Sequence, residues 1–173
     1  MDNKYDVVVW GASGFTGRLV CEYIYQNYTK KGSDLKWAMA GRDLIKLKQI
    51  RGKFANNTIP ILIADSDDIN SLNELTKNTK VICTTVGPYA KYGSKLVKSC
   101  IDNKAHYCDL AGEVQWMHKM ITKHHDSAQK NEVKIVHTCG FDSIPSDMGV
   151  YFINKELKKN NLAIKSIDMR VAG

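Results

Sequence analysis

The stretch Asp6-Val-Val-Val-Trp-Gly-Ala-Ser-Gly-Phe-Thr-Gly17 constrains this chain more than any other. A valine run without a polar face suits a strand covered on both sides. Three glycines at a spacing of three follow it directly. Gly11 lets the chain turn sharply off the strand. Gly14 lets backbone approach a diphosphate with no side chain between them, and Gly17 lets the next helix pack close to the sheet. The free N–H groups at the start of that helix would face the phosphate, with the helix dipole favouring its charge. Ser13 and Thr16 supply hydroxyl donors, and Phe15 stands between Gly14 and Thr16 in the same loop. The spacing excludes a mononucleotide loop, since no Gly-x-x-x-x-Gly-Lys-Ser/Thr occurs.

Downstream, short β-branched runs alternate with longer amphipathic stretches, the pattern of a parallel sheet with crossover helices. Strands are expected at Asp6 to Trp10, Leu35 to Ala40, Ile59 to Ala64, Lys80 to Val86, His106 to Leu110, Val133 to Thr138 and Ile164 to Val171. Helices are expected at Gly14 to Tyr28, Asp43 to Phe54, from Asp67 or Asp68 to Leu75, Ser94 to Asn103, Val114 to Asn131, and after Pro145 to about Lys159. The fold class is α/β: a Rossmann-type, doubly wound, mostly parallel sheet with helices on both faces. Residues 1–160 read as one dinucleotide-binding domain. Residues 161–173 read as the start of a truncated second, substrate-binding domain, or as an edge strand of this sheet.

A chain that is 43% apolar and 25% charged belongs with globular proteins rather than disordered ones. No apolar run reaches the length of a membrane helix, and the polar start lacks a signal peptide's regions, so the expectation is a cytoplasmic protein. The net charge of +7 is spread singly over helix faces without interleaved aromatics, which reads as a solvated surface and not a nucleic-acid site. The five cysteines form no Cys-x-x-Cys pair, so neither a disulfide framework nor a zinc site is indicated. They read as reduced core thiols. No metal site is expected from the histidines either.

The end of the second strand distinguishes the dinucleotides: an acidic residue there holds the ribose of NAD, and an arginine accepts the 2′-phosphate of NADP. Arg42 stands there, and its planar fork matches a phosphate. Asp43 is better used as the cap of the next helix. The expected cofactor is therefore NADP(H). Asp65, at the end of the third strand, either touches the adenine edge or caps a turn.

Further segments fall at strand carboxyl ends, where ligands bind in open α/β sheets: Val86-Gly-Pro-Tyr89, Tyr107-Cys-Asp-Leu-Ala-Gly-Glu113 and Cys139-Gly-Phe-Asp-Ser-Ile-Pro-Ser-Asp-Met-Gly149. With Ala40-Gly-Arg42 and the glycine loop, they make the chain resemble the N-terminal domain of the saccharopine dehydrogenase-like oxidoreductases, which include trans-acting enoyl reductases. The Gly-Phe-Asp-Ser-Ile-Pro-Ser-Asp run is the most distinctive, because the fold does not require it. The resemblance implies an NADP-dependent enzyme about twice this length, with substrate bound by a second domain beyond Gly173. It also implies a small-molecule or lipid-like substrate, and dimerisation through that missing domain. Val86, Gly87 and Pro88 would pass beneath the ribose and nicotinamide, with Tyr89 near the reacting face. Asp109, Glu113 and Asp142 are the expected substrate-facing carboxylates, each with a plain alternative as a structural group: Glu113 as cap of the helix after Gly112, and Asp142 or Ser143 as cap near Pro145.

Three rival functions fit parts of the sequence. Tyr151 and Lys155 match the Tyr-x-x-x-Lys spacing of short-chain dehydrogenases, although Tyr151 lies in an apolar stretch where a core aromatic is the ordinary reading. Cys139 would be the nucleophile of a semialdehyde reductase, but it has no obvious base beside it, and a packed thiol fits better. A non-catalytic NADP-sensing module needs only the cofactor site.

Overall fold

A computed structural model describes residues 4–54 and 58–170. The elements alternate: β1 (Tyr5–Trp10), α1 (Phe15–Ile24), β2 (Trp37–Gly41), α2 (Leu44–Gly52), β3 (Ile61–Ile63), α3 (Ile69–Thr76), β4 (Thr79–Thr84), α4 (Tyr89–Asp102), β5 (His106–Cys108), α5 (Val114–Lys130), β6 (Ile135–Val136) and α6 (Ile144–Lys159). The last turns of α1 widen into a π-helical segment, Tyr25–Thr29. All pairings in the six-stranded sheet are parallel, in the order β3-β2-β1-β4-β5-β6. The order reverses between β1 and β4, which opens a crevice beyond their carboxyl ends.

Alternation along β1 divides the core into two layers. Val9 faces one side with Cys21 of α1, Met39 of β2 and Leu47 and Ile50 of α2. Val8 and Trp10 face the other, with Leu72 of α3, Leu96 and Val97 of α4, and Trp116 and Met120 of α5. Every residue of β2 is buried, as expected for an inner strand covered on both faces.

Helix α4 begins at Tyr89, five residues before the position expected from Ser94. Gly93, just outside the expected helix, is a packing position within α4. A Cβ there would stand 2.6 Å from Cζ2 of Trp116, so glycine admits the indole against the helix. The C-terminal region also departs from expectation. Residues 164–170 form no strand, and Val171 lies outside the described residues. Helix α6 buries none of its residues. Tyr151 is accordingly 59% exposed rather than a core aromatic.

Candidate functional site

A cleft of about 470 Å³ opens at the switch point between β1 and β4. Gly11, Ser13 and Gly14 line it from the first loop, Arg42 from the end of β2, Asp65 from the end of β3, and Val86, Gly87 and Pro88 from the end of β4. The glycine geometry follows from close contacts. Gly11 has φ +87°, and a Cβ on it would come within 2.6 Å of Val86 Cγ2. At Gly17 a Cβ would lie 2.1 Å from the Gly11 carbonyl oxygen, so α1 approaches the loop only because Gly17 lacks a side chain. Gly14 is extended, with φ −73°, and is the N-cap of α1.

Not every expected loop residue faces the cleft. Phe15 is 73% exposed and leans on Arg18, whose guanidinium carbon lies 6.0 Å from the ring centroid. Neither Phe15, Thr16 nor Gly17 lines the cleft with a side chain. Sequence reading missed Trp10, Gly41, Thr85 and Tyr92, which also line it. Tyr92 had a signal, since it falls one helical turn after Pro88. Thr85 ties the two loops together, its N–H donating to the Trp10 carbonyl at 3.0 Å.

Four helices start around this cleft, and their N-termini differ. The Asp43 side chain accepts from Lys46 N at the start of α2, and Asp68 accepts from Asn70 N at the start of α3. Glu113, from the far side of the loop after β5, accepts Tyr89 N at 2.6 Å and Ala90 N at 2.7 Å, which caps α4. Helix α1 has no side-chain cap and no acidic residue in its first turn. It alone of the four lacks a side-chain cap, so nothing from a side chain competes for its first-turn N–H groups and the positive end of its dipole. Arg42 is exposed, and no hydrogen bond or ion pair among the described residues engages it. An open helix terminus and a free guanidinium in one cleft suit a ligand with two separated phosphate groups. Asp65 uses its carboxylate locally, accepting Asp67 N at 2.8 Å, so the turn-capping role is the one observed.

The expected substrate-facing group is largely internal. Tyr89 is buried against Trp116, at 5.6 Å between ring centroids, and its hydroxyl donates to the Thr84 carbonyl. Burial pushes its pKa up to about 12, and this placement corrects the expectation of a residue at the reacting face. Asp109 is 2% exposed. Its carboxylate contacts His137 Nδ1 at 2.7 Å and accepts Tyr107 OH at 2.8 Å, Ala111 N at 3.0 Å and Thr138 N at 3.1 Å. Burial alone raises its pKa, but the hydrogen bonds from His137, Ala111 and Tyr107 outweigh that and hold it below the ordinary carboxylate value. Glu113 caps α4 rather than α5, a correction to both readings of it. Asp142 is exposed, and neither it nor Ser143 caps α6 with a side chain.

Tyr151 and Lys155 lie on exposed turns of α6 and line no part of the cleft. Cys139 is exposed rather than packed. Burial and the nearby Cys108 and Asp109 raise its thiol pKa, the reverse of what a nucleophile needs.

Residues 7–136 match the family model described as the saccharopine dehydrogenase NADP binding domain. The chain is 41% identical over 160 residues to a Caenorhabditis elegans protein named lipid droplet localized protein, covering 88% of this chain and 37% of that one. It is 36% identical over 172 residues to the mouse saccharopine dehydrogenase-like oxidoreductase, covering 94% of this chain and 40% of the relative. A Mycobacterium tuberculosis protein named as a trans-acting enoyl reductase is 39% identical over 150 residues, 86% of this chain and 35% of its own. The chain thus spans about two-fifths of the length of these relatives. Its fold is shared with yeast saccharopine dehydrogenase, at TM-score 0.73 and 16% identity over 91% of this chain and 32% of that one. It is also shared with an NADP(H)-bound triphenylmethane reductase from Citrobacter, at TM-score 0.56 and 13% identity over 76% and 48%. With the glycine loop, the uncapped α1 and the free Arg42 already in one cleft, this chain belongs to the saccharopine dehydrogenase NADP-binding domain family, and its cofactor is NADP(H).

Proposed function

We propose that this chain is the cofactor-carrying part of an NADP-dependent oxidoreductase that delivers hydride to a carbonyl, imine or activated alkene of a small-molecule or lipid-like substrate. The cleft supports it: α1 offers the only uncapped helix terminus of the four around it, and Arg42 stands free in its wall. The bound dinucleotide supplies the hydride. The first-loop backbone would hold the diphosphate, Arg42 the 2′-phosphate, and the segment Val86 to Pro88 the nicotinamide ribose. Tyr89, Asp109 and Glu113 would keep that segment in place from behind. Residues 161–173 would lead toward a substrate domain, and α6, with Met148, Tyr151, Phe152 and Ile153 exposed, would pack in that larger protein.

The carrying observation is tested by calorimetric titration of wild type and Arg42→Ala with NADPH and NADH. The variant should lose about 1 to 3 kcal/mol for NADPH, the scale of a hydrogen-bonded charge pair, and nothing for NADH. Equal losses for both would refute the assignment. We propose the cytoplasm as compartment. The nematode relative's name makes a lipid-droplet surface the alternative that cell fractionation tests. No helix among the described residues is long and apolar enough to cross a membrane.

A further inference from the structure

We propose that Cys83 and Cys108 form an oxidisable dithiol, closed to a disulfide by hydrogen peroxide, that weakens NADPH binding through the end of β4. The coupling to the cofactor rests on the reading above; the dithiol itself does not.

The sheet places the two residues together. Cys83 of β4 and Cys108 of β5 are direct partners in the parallel register, so their side chains leave the same face. Neighbouring strands run about 4.8 Å apart, inside the roughly 4.4 to 6.8 Å between Cα atoms that a disulfide spans. The same face carries Val9, which α1 and α2 cover beside β1 and β2. Helices α3, α4 and α5 pack on the opposite side, and α6 buries nothing. Among the described residues this face therefore stays partly open over β4, β5 and β6: both thiols are half-buried, and Val136, the register partner of Cys108, is 50% exposed.

The pair is also chemically unequal. The paired thiols interact with one another, which holds the pKa of Cys83 below the ordinary thiol value and raises that of Cys108. Burial pushes Cys21 up to about 12 and raises Cys100 further, and Cys139 is raised as well. Cys83 is thus the one thiol of the five with added thiolate character. Its thiolate attacks a peroxide oxygen and the O–O bond breaks, leaving a sulfenic acid and hydroxide, which takes up a proton to become water. The Cys108 sulfur then attacks the sulfenic sulfur, the S–O bond breaks, and the Cys108 proton leaves with the hydroxyl as a second water. Two thiols lose two electrons, and peroxide gains them.

The link to the cofactor is one residue long. Thr84 follows Cys83, its carbonyl accepts the Tyr89 hydroxyl at 3.2 Å, and its Oγ1 accepts Val86 N at 3.3 Å. A disulfide wants Cβ atoms about 3.8 Å apart, less than the strand spacing. Closing it draws the ends of β4 and β5 together and shifts the segment Val86 to Pro88 that lines the cleft.

The test begins with NADPH titration of the reduced chain, so that failure of the cofactor reading shows separately. Peroxide treatment followed by peptide mass spectrometry should then reveal Cys83 linked to Cys108. NADPH affinity should drop about fivefold, the lower end of ordinary coupling between sites, and thiol reductant should restore it. Cys108→Ser should stop at a Cys83 sulfenic acid that dimedone traps, while Cys139→Ser should oxidise like wild type. Oxidation confined to Cys139, with Cys83 and Cys108 still open to alkylation, would overturn the dithiol. A linked peptide with unchanged NADPH affinity would overturn the coupling.

Discussion

Glu113 should be the most informative single position outside the cleft. Its two carboxylate oxygens hold the first two N–H groups of α4, at 2.6 and 2.7 Å, directly after the Gly87 and Pro88 that line the site. Glu113→Ala removes both bonds. The Ala90 N–H is exposed and regains water, so its loss costs little; the Tyr89 N–H is part-buried and bears most of the penalty. A lost hydrogen bond to a charged group costs about 1.5 to 3 kcal/mol, and the lost charge at the helix terminus adds about 0.3 to 1. The expected destabilisation is about 2 to 4 kcal/mol. For a domain of this size that lowers the melting temperature by roughly 4 to 16 °C. Glu113→Gln keeps one acceptor oxygen and presents an amide N–H₂ to the other donor, so about half the loss is expected. NADPH and NADH should weaken together in both variants, because the segment that Glu113 anchors faces the part common to the two cofactors. Differential scanning calorimetry of the apo proteins and paired titrations read these effects. An alanine variant melting within about 1 °C of wild type would refute the cap, and a loss confined to NADPH would refute its role at the shared end.

Other positions test separate parts of the account. Gly14→Val should fold, since Gly14 has φ −73° and a Cβ would meet only the Gly11 carbonyl oxygen, at 3.3 Å. It should lose the thermal stabilisation NADPH gives wild type, and undiminished stabilisation would remove the loop from the site. Asp109→Asn probes the buried network. The folded-state pKa of Asp109 is lowered, so its contribution is complete above the unfolded value near 3.9 and disappears as pH falls below that toward the folded value. The wild-type melting temperature should therefore drop more steeply than the variant's in that acid range, and parallel curves would show that the carboxylate's charge adds nothing.

Much of this was legible before folding, for local reasons. The valine run and the three glycines act within a dozen residues, and the jobs assigned to Gly11 and Gly17 match their contacts, each leaving too little space for a Cβ. The doubly wound, parallel class of the sheet followed from the βα alternation, because crossovers of that length permit few arrangements. Asp43 as the α2 cap was also readable, since a cap bonds to its own helix. Boundaries were read less well where packing across the fold decides them, as with Gly93 inside α4 against the Trp116 indole.

What the sequence determined by itself is therefore the class of fold, the glycine loop between β1 and α1 and the place of Arg42, since each rests on residues close together in the chain. Only the tertiary structure decided what Glu113, Asp109 and Tyr89 do. Glu113 caps a helix that starts 24 residues earlier. Asp109 collects His137 and Thr138 from beyond α5, and Tyr89 turns inward onto Trp116. A carboxylate at a strand end reads the same whether it faces a ligand or a helix terminus. The unpaired donors that claim it belong to segments brought beside it only when the sheet and its helices close.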